Sequence, residues 1–235
     1  MPAAAVTKSA KAGRQKTGNV EGTRATRVPA PASRVAHRST QAERREKAEH
    51  AILGAAMEIV AERGIDELTL AEAGERAGYS RALPAHYFDS KDAALAALGD
   101  FVVEEYLRRV QRLVPGREGL EGFLDRVGQY FDEGKKDPRV LRAFHAVLGS
   151  APGKPALAKS MTRLTEETKK TFVSFIRAGV ERGEIRKNAV PEIEAIWILA
   201  GLRGVTAQWV ISPDTTPLTK VRNAFLHTIR KALEA

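Results

Sequence analysis

From Thr40 onward apolar residues recur at three- and four-residue steps, and Ala48, Ile52, Ala55, Ala56, Ile59 and Val60 lay a stripe along one helix face. Thr40-Gln41-Ala42-Glu43 has the form of a capping box, in which hydroxyl and carboxylate satisfy each other's backbone N–H groups, and Gly64 supplies a stop. A second box, Thr69-Leu70-Ala71-Glu72, predicts a short helix ending at Ala77-Gly78. Ser80 can cap a third, very short helix. Ser90 can cap a fourth, with Asp92 in the first turn where the helix dipole favours a negative charge. That helix carries Leu95, Leu98, Val102, Tyr106 and Val110 up to a break at Pro115-Gly116. Helical segments are expected at 118–136, 138–149, 155–183, 191–211 and 216–234, separated by Pro138, Pro152-Gly153, Gly183, Pro191 and Ser212-Pro213. No segment keeps a period of two long enough for a strand. The expected fold is all-α, a three-helix helix-turn-helix domain followed by an antiparallel helical bundle, about nine helices in total.

Composition narrows the chemistry. The 235 residues can bury a full core and allow one large or two modest domains. Cysteine is absent, which removes disulfides, thiolate metal sites and cysteine nucleophiles together and fits a reducing compartment. The most apolar stretch, Ile193 to Ile211, contains Glu194, Arg203 and Gln208, and the first residues lack the apolar core of a secretory signal. A cytoplasmic protein without a membrane partner is expected. No Gly-rich phosphate loop, nucleophile elbow or His-x-x-x-His spacing is present, and His37, His50, His86, His145 and His227 are scattered. These features argue against an enzyme and against a metal or cofactor.

Charge is uneven. Residues 1–38 hold eight lysines and arginines against Glu21 alone, which is +7 of the chain's +9. A disordered basic arm on a nearly balanced body fits a polyanionic partner, and equally a solvated tail. The division expected is an arm (1–38), a helix-turn-helix domain (39–95) and a second helical domain (96–235), which the family resemblance given below makes the ligand-binding and dimerisation domain.

Two short helices around a Gly-containing turn, Thr69–Ala77 and Ser80–Tyr87, match a brace and a probe for a major groove about 12 Å wide. Arg81 can bond guanine or phosphate. Ser80, His86 and Tyr87 can reach phosphates or base edges, and Lys91 adds charge where helix N–H groups already favour a phosphate. A helical hairpin with a solvated face has the same pattern.

The residues Ala56-x-x-Ile59-Val60-x-x-x-Gly64, Leu68-Thr69-Leu70-Ala71, Ala77-Gly78-Tyr79-Ser80-Arg81 and His86-Tyr87-Phe88-Asp89-Ser90-Lys91-Asp92-Ala93-Ala94-Leu95 closely resemble the DNA-binding domain of the tetracycline-repressor (TetR) family. The resemblance covers residues 45–95. It implies a homodimer with two recognition helices in successive major grooves of a pseudo-palindromic operator, and a C-terminal domain that binds a small-molecule effector. It gives Thr69 a cap and phosphate contact, sets Ser80 and Arg81 at the start of the recognition helix, assigns phosphates to His86 or Tyr87 and to Lys91, and makes Phe88 core. The departure lies at Ala82-Leu83-Pro84-Ala85, where Ala85 stands in place of the family's usual tyrosine and Pro84 lacks an N–H.

Gly179, Glu181-Arg182-Gly183-Glu184-Ile185-Arg186 and Trp197-x-x-x-Gly201-Leu202-x-Gly204-x-x-x-Gln208-Trp209 resemble the effector domains of one subgroup of that family. Ala200, Gly201, Gly204 and Ala207 put small residues on one helix side, where another helix can approach closely. Leu218, Val221, Phe225, Leu226 and Ile229 form a second stripe. The resemblance makes the last two helices a four-helix dimer interface, with Gly201, Gly204, Gln208, Trp209, Leu218 and Phe225 as its candidates; intramolecular core is the alternative. Phe123, Val127, Tyr130, Phe131, Phe144, His145, Phe172, Phe175 and Trp197, together with Leu148 and Ile176, are candidates for an apolar effector pocket, although residues of this kind at this spacing are more often plain core than ligand contacts. The function expected is a repressor released by a small hydrophobic ligand. The alternatives are a sensor or carrier without sequence-specific DNA binding and a non-specific DNA-coating protein.

Overall fold

A computed structural model of the chain describes residues 40–111 and 116–235; the basic arm and Pro115 of the expected break lie outside the described residues. All the regular elements described are helical: α1 (Gln41–Arg63), α2 (Leu70–Arg76), α3 (Leu83–Tyr87), α4 (Lys91–Gln111), α5 (Gly119–Lys136), α6 (Pro138–Ser150), a 3₁₀ turn (Ala151–Gly153), α7 (Pro155–Glu181), α8 (Pro191–Ile211) and α9 (Leu218–Leu233).

The starts follow from local chemistry. Thr40 Oγ1 accepts from Glu43 N at 3.2 Å while Thr40 N donates to Glu43 Oε2 at 2.7 Å, so the first capping box is closed. Thr69 Oγ1 accepts from Glu72 N at 3.3 Å and Ser90 Oγ from Ala93 N at 3.0 Å. Proline opens α6, α7 and α8, where its missing N–H costs nothing. At the end of α2 Gly78 takes φ 83°. There Tyr79 N reaches back to Gly74 O (2.9 Å) and Gly78 N to Glu75 O (3.0 Å), a Schellman stop that turns the chain toward α3.

Two apolar clusters hold the helices. The first joins Ile52, Ile59, Val60, Ala73 and Phe88 to Leu98, Val102, Leu141, Phe144, Leu157 and Leu164. α1 packs on α6 and α4 on α6 and α7, so the N-terminal helices share a core with the middle of the bundle. The second joins Phe123, Val127 and Phe131 of α5 to Phe172 and Ile176 of α7, Ile198 and Leu202 of α8, and Ile229 and Leu233 of α9. Each fully buried phenylalanine removes about 1.5–3 kcal/mol worth of apolar surface from water. The end of α9 is tied down where Arg186 N donates to Leu233 O at 2.8 Å and Arg186 Nε to Ala232 O at 2.7 Å.

The start of α3 corrects the sequence reading. Ser80 does not cap it; Ser80 and Arg81 form the turn, the cap position is Ala82 without a side-chain hydrogen bond, and the helix begins at Leu83. Pro84 gives the reason. Its ring would collide with the carbonyl four residues back, that of Ser80, if the helix were already running there. Beginning at Leu83 puts Pro84 in the first turn and leaves Ser80 O to accept from Leu83 N at 3.1 Å.

Candidate functional site

The first site is built on the α2–turn–α3 unit. Gly74 lies where the two helices meet: a Cβ there would sit 2.9 Å from both Ser80 O and Pro84 Cγ. Pro84 is buried against that glycine, so the residue that shortens α3 also packs it on its brace. Around this contact Thr69, Ser80, Arg81, His86 and Lys91 are exposed and Tyr87 is half-buried, which leaves five of the six candidates open to a partner. Arg81 is not idle: its Nη1 lies 3.1 Å from both carboxylate oxygens of Glu75. Lys91 is the first residue of α4, beside N–H groups that the helix itself leaves unpaired.

Two participants escaped the sequence reading. Arg45 of α1 holds its guanidinium 5.2 Å from the centroid of the Tyr87 ring, placing a further exposed cation beside a candidate contact. Its sequence position, on a charged helix start, carries no signal for that pairing. Glu75 is the other, and an acid six residues before an arginine across a glycine turn is a signal that could have been used. The brace is fixed to α1 by Arg76 Nη1 on Glu62 (2.9 Å) and Arg63 Nη2 on Glu72 (2.5 Å).

The second site is the bundle interior. Phe123, Val127, Tyr130, Phe131, Phe144 and Phe172 are all buried, and Phe123 meets Phe172 edge-on at 5.1 Å. Phe175 and Trp197 are half-buried at the rim of the same cluster. The Trp197 indole donates to Glu194 Oε2 at 2.5 Å, and Glu194 also receives Arg186. These rings pack on one another. A void of about 10 Å³ lies beside Tyr106, Gly134 and Leu141, and a surface groove of about 400 Å³ runs between α7 and α8.

Where the clusters meet, polar groups collect. Tyr106 of α4 stacks on Phe144 of α6 with centroids 4.6 Å apart and planes 10° from parallel, and Tyr130 of α5 lies 5.9 Å away. Arg203 of α8 donates to Thr165 Oγ1 at 3.0 Å and lies 5.8 Å from the Phe144 centroid. His145 Nε2 is 3.0 Å from Thr206 Oγ1. Burial, with the Arg203 charge adding to it, lowers the His145 imidazole to about 4, so it is neutral at physiological pH. Burial also raises the Tyr106 phenol well above its ordinary value and lowers the Arg203 guanidinium from its own.

The interface candidates divide. Gly201 is used inside the chain, since a Cβ there would lie 2.8 Å from Phe225 Cε2. Leu218 is buried, and Trp209 is half-buried against both clusters. Gly204 and Gln208 face outward, in line with exposed Ile193, Ile196, Ala200 and Ile211. Among the described residues no helix is long and apolar enough to cross a membrane.

A capped three-helix head with an exposed probe, carried on an all-α bundle, defines a helix-turn-helix DNA-binding protein. Residues 52–98 match the family model for bacterial regulatory proteins of the tetR family, and residues 117–234 match that for the C-terminal part of BetI-type transcriptional repressors. The chain belongs to the TetR family of bacterial regulatory proteins, with a C-terminal part of the BetI type, and regulates transcription. It is 25% identical over 202 residues to the HTH-type transcriptional regulator CymR of Pseudomonas putida, covering 83% of this chain and 95% of that protein. Against the regulator BetI of Escherichia coli it is 25% identical over 160 residues, covering 65% and 82%. The structure of SmeT, a repressor of Stenotrophomonas maltophilia, in complex with triclosan superposes with a TM-score of 0.67 at 22% identity, covering 80% and 92%.

Proposed function

We propose that the protein is a homodimeric repressor that holds a pseudo-palindromic operator with residues 39–95 and is released when a small, largely hydrophobic molecule enters residues 96–235. The observation that carries this reading is the exposed Ser80–Lys91 probe on a braced head, in a chain whose two halves match regulator models. Arg81 reads a base, Thr69, His86, Tyr87 and Lys91 contact phosphates, and Arg45 joins them beside Tyr87. Arg81 must leave Glu75 to do so. An exposed ion pair is worth about 0–1 kcal/mol, whereas a bidentate contact to guanine gives about 1–3 kcal/mol, so DNA wins that competition. Arg81→Ala is therefore expected to cost about 1–3 kcal/mol of specific binding in a gel-shift titration.

The outward stripe Ile193, Ile196, Ala200, Gly204, Gln208 and Ile211 supports pairing through α8, with α9 beside it. Ile193 and Ile211 are 60% and 76% exposed in the single chain, an apolar surface that a second copy would cover. The effector acts through α4. That helix begins at the probe and carries Tyr106 into the interior, so a ligand that displaces Tyr106 shifts the separation of two probes whose half-sites tolerate one spacing. The ligand must bind the released form more tightly, since equal affinity moves nothing. The protein is a binder rather than a catalyst and works in the cytoplasm, where operator DNA is.

Selection of bound duplexes from a random pool tests the reading. A palindromic consensus is expected. A bound pool with no consensus, whose affinity follows salt alone, would leave a non-specific DNA coat.

A further inference from the structure

We infer that the effector is a small monocarboxylate with an aromatic or branched apolar body, its acid group held by Arg203 among Tyr106, Tyr130 and Thr165; this rests on the regulator reading above and names its ligand class. The starting point is a missing partner. The other half-buried arginines that the structure pairs have acids: Arg109 with Asp137 at 2.9 Å, Arg186 with Glu194 at 2.5 Å, Arg222 with Asp132 at 3.0 Å. Among the described residues no carboxylate pairs with Arg203, whose hydrogen bond goes to the neutral Thr165 hydroxyl. Both acids on the same helix are already held, Glu192 by Arg177 and Glu194 by Arg186 and Trp197. A charge taken out of water without a counter-charge is expensive, and a visiting anion would supply what the chain does not.

The surroundings select the kind of anion. One guanidinium with phenol and threonine hydroxyls around it suits a single negative charge, and its fork matches a carboxylate in two parallel bonds. A phosphate dianion would be left half-compensated. Next to the charge stand the Phe144, Tyr106 and Tyr130 rings, with Phe172 6.0 Å beyond Tyr130, so the remainder of the ligand meets hydrocarbon. The void beside Tyr106, about 10 Å³, holds no more than a water. An acid bound at Arg203 lies against the Phe144 ring on which Tyr106 stacks, and Tyr106 belongs to α4, which begins at Lys91 of the probe.

The test uses full-length protein with 4-phenylbutyrate, 4-phenylbenzoate and octanoate, each beside its primary amide. Melting temperature and release of the selected duplex are read together. At least one acid is expected to act at a concentration tenfold or more below its amide. Arg203→Gln and Arg203→Met, made as a pair so that a folded neutral variant carries the comparison, should erase that preference, and Arg203→Lys should keep part of it. Amides equal to their acids, no acid acting in this panel, or an acid preference that survives loss of the charge would each overturn the inference. Failure of the regulator reading shows elsewhere, as the absence of a consensus duplex before any ligand is added.

Discussion

The α2–α3 turn and the interior around Arg203 place arginines in opposite circumstances. Arg81 is exposed, has a carboxylate 3.1 Å away and can exchange it cheaply for DNA; Arg203 is half-buried and, among the described residues, bonds a neutral hydroxyl and no carboxylate. The same side chain thus serves as a reader of a surface polyanion in one place and as a fixed demand for a counter-charge in the other. The backbone differs in the same sense. The turn is set by short-range devices (a cap, a Schellman stop, a first-turn proline), while the interior is set by rings from four helices meeting at distances no local rule specifies.

The contrast can be broken from either side. The largest effect is expected in the interior: Phe123→Ala, at a side chain with no exposure, should lower unfolding stability by about 3–5 kcal/mol in urea, with little effect on which duplex is bound. A loss under about 1 kcal/mol would mean the cluster collapses around the gap and is not closely packed.

Next comes pH. The folded His145 imidazole sits near 4, below its ordinary 6.5, so between those values the unfolded chain takes a proton that the fold refuses. Its contribution is complete above about pH 6.5 and declines as pH falls toward 4, by about 3 kcal/mol in all. His145→Gln should flatten that part of the stability profile. An unchanged slope would place the imidazole in water.

At the turn, Gly74→Val should destabilise by about 1–3 kcal/mol through overlap with Ser80 O and Pro84, and should abolish operator binding while the bundle stays folded by circular dichroism. Full operator affinity would show that α3 does not need its seat on the brace. The smallest effect belongs to Glu75→Gln, which frees Arg81 and should raise operator affinity a few-fold at low salt. Weaker binding in that variant would mean Glu75 orients Arg81 for the base instead of competing with it.

Legibility in the sequence follows the same division. Caps at Thr40, Thr69 and Ser90 and the glycine stops at Gly64 and Gly78 are read locally, and the helices stand where those signals put them. The start of α3 was misread because Ser80 is a good cap in isolation, and the collision between its carbonyl and the Pro84 ring outweighs that preference. Inside the bundle, periodicity picks buried rings well but cannot separate a packed core from a pocket; Phe123 and Phe172 satisfy both descriptions. Arg203 registered only as a charge interrupting an apolar helix, because the absence of an acid partner among the described residues is a fact of three dimensions. Gly201 and Gly204 look alike in sequence, yet one seats Phe225 and the other faces out.

Guanine-N7 footprinting of the selected duplex with dimethyl sulfate puts the claim that two copies of the Ser80–Lys91 probe read the major groove to the most direct trial. Two protected guanine clusters are expected on one face of the DNA, about 10 base pairs apart, each losing its protection with Arg81→Ala. A single cluster, or protection that persists without Arg81, would contradict it.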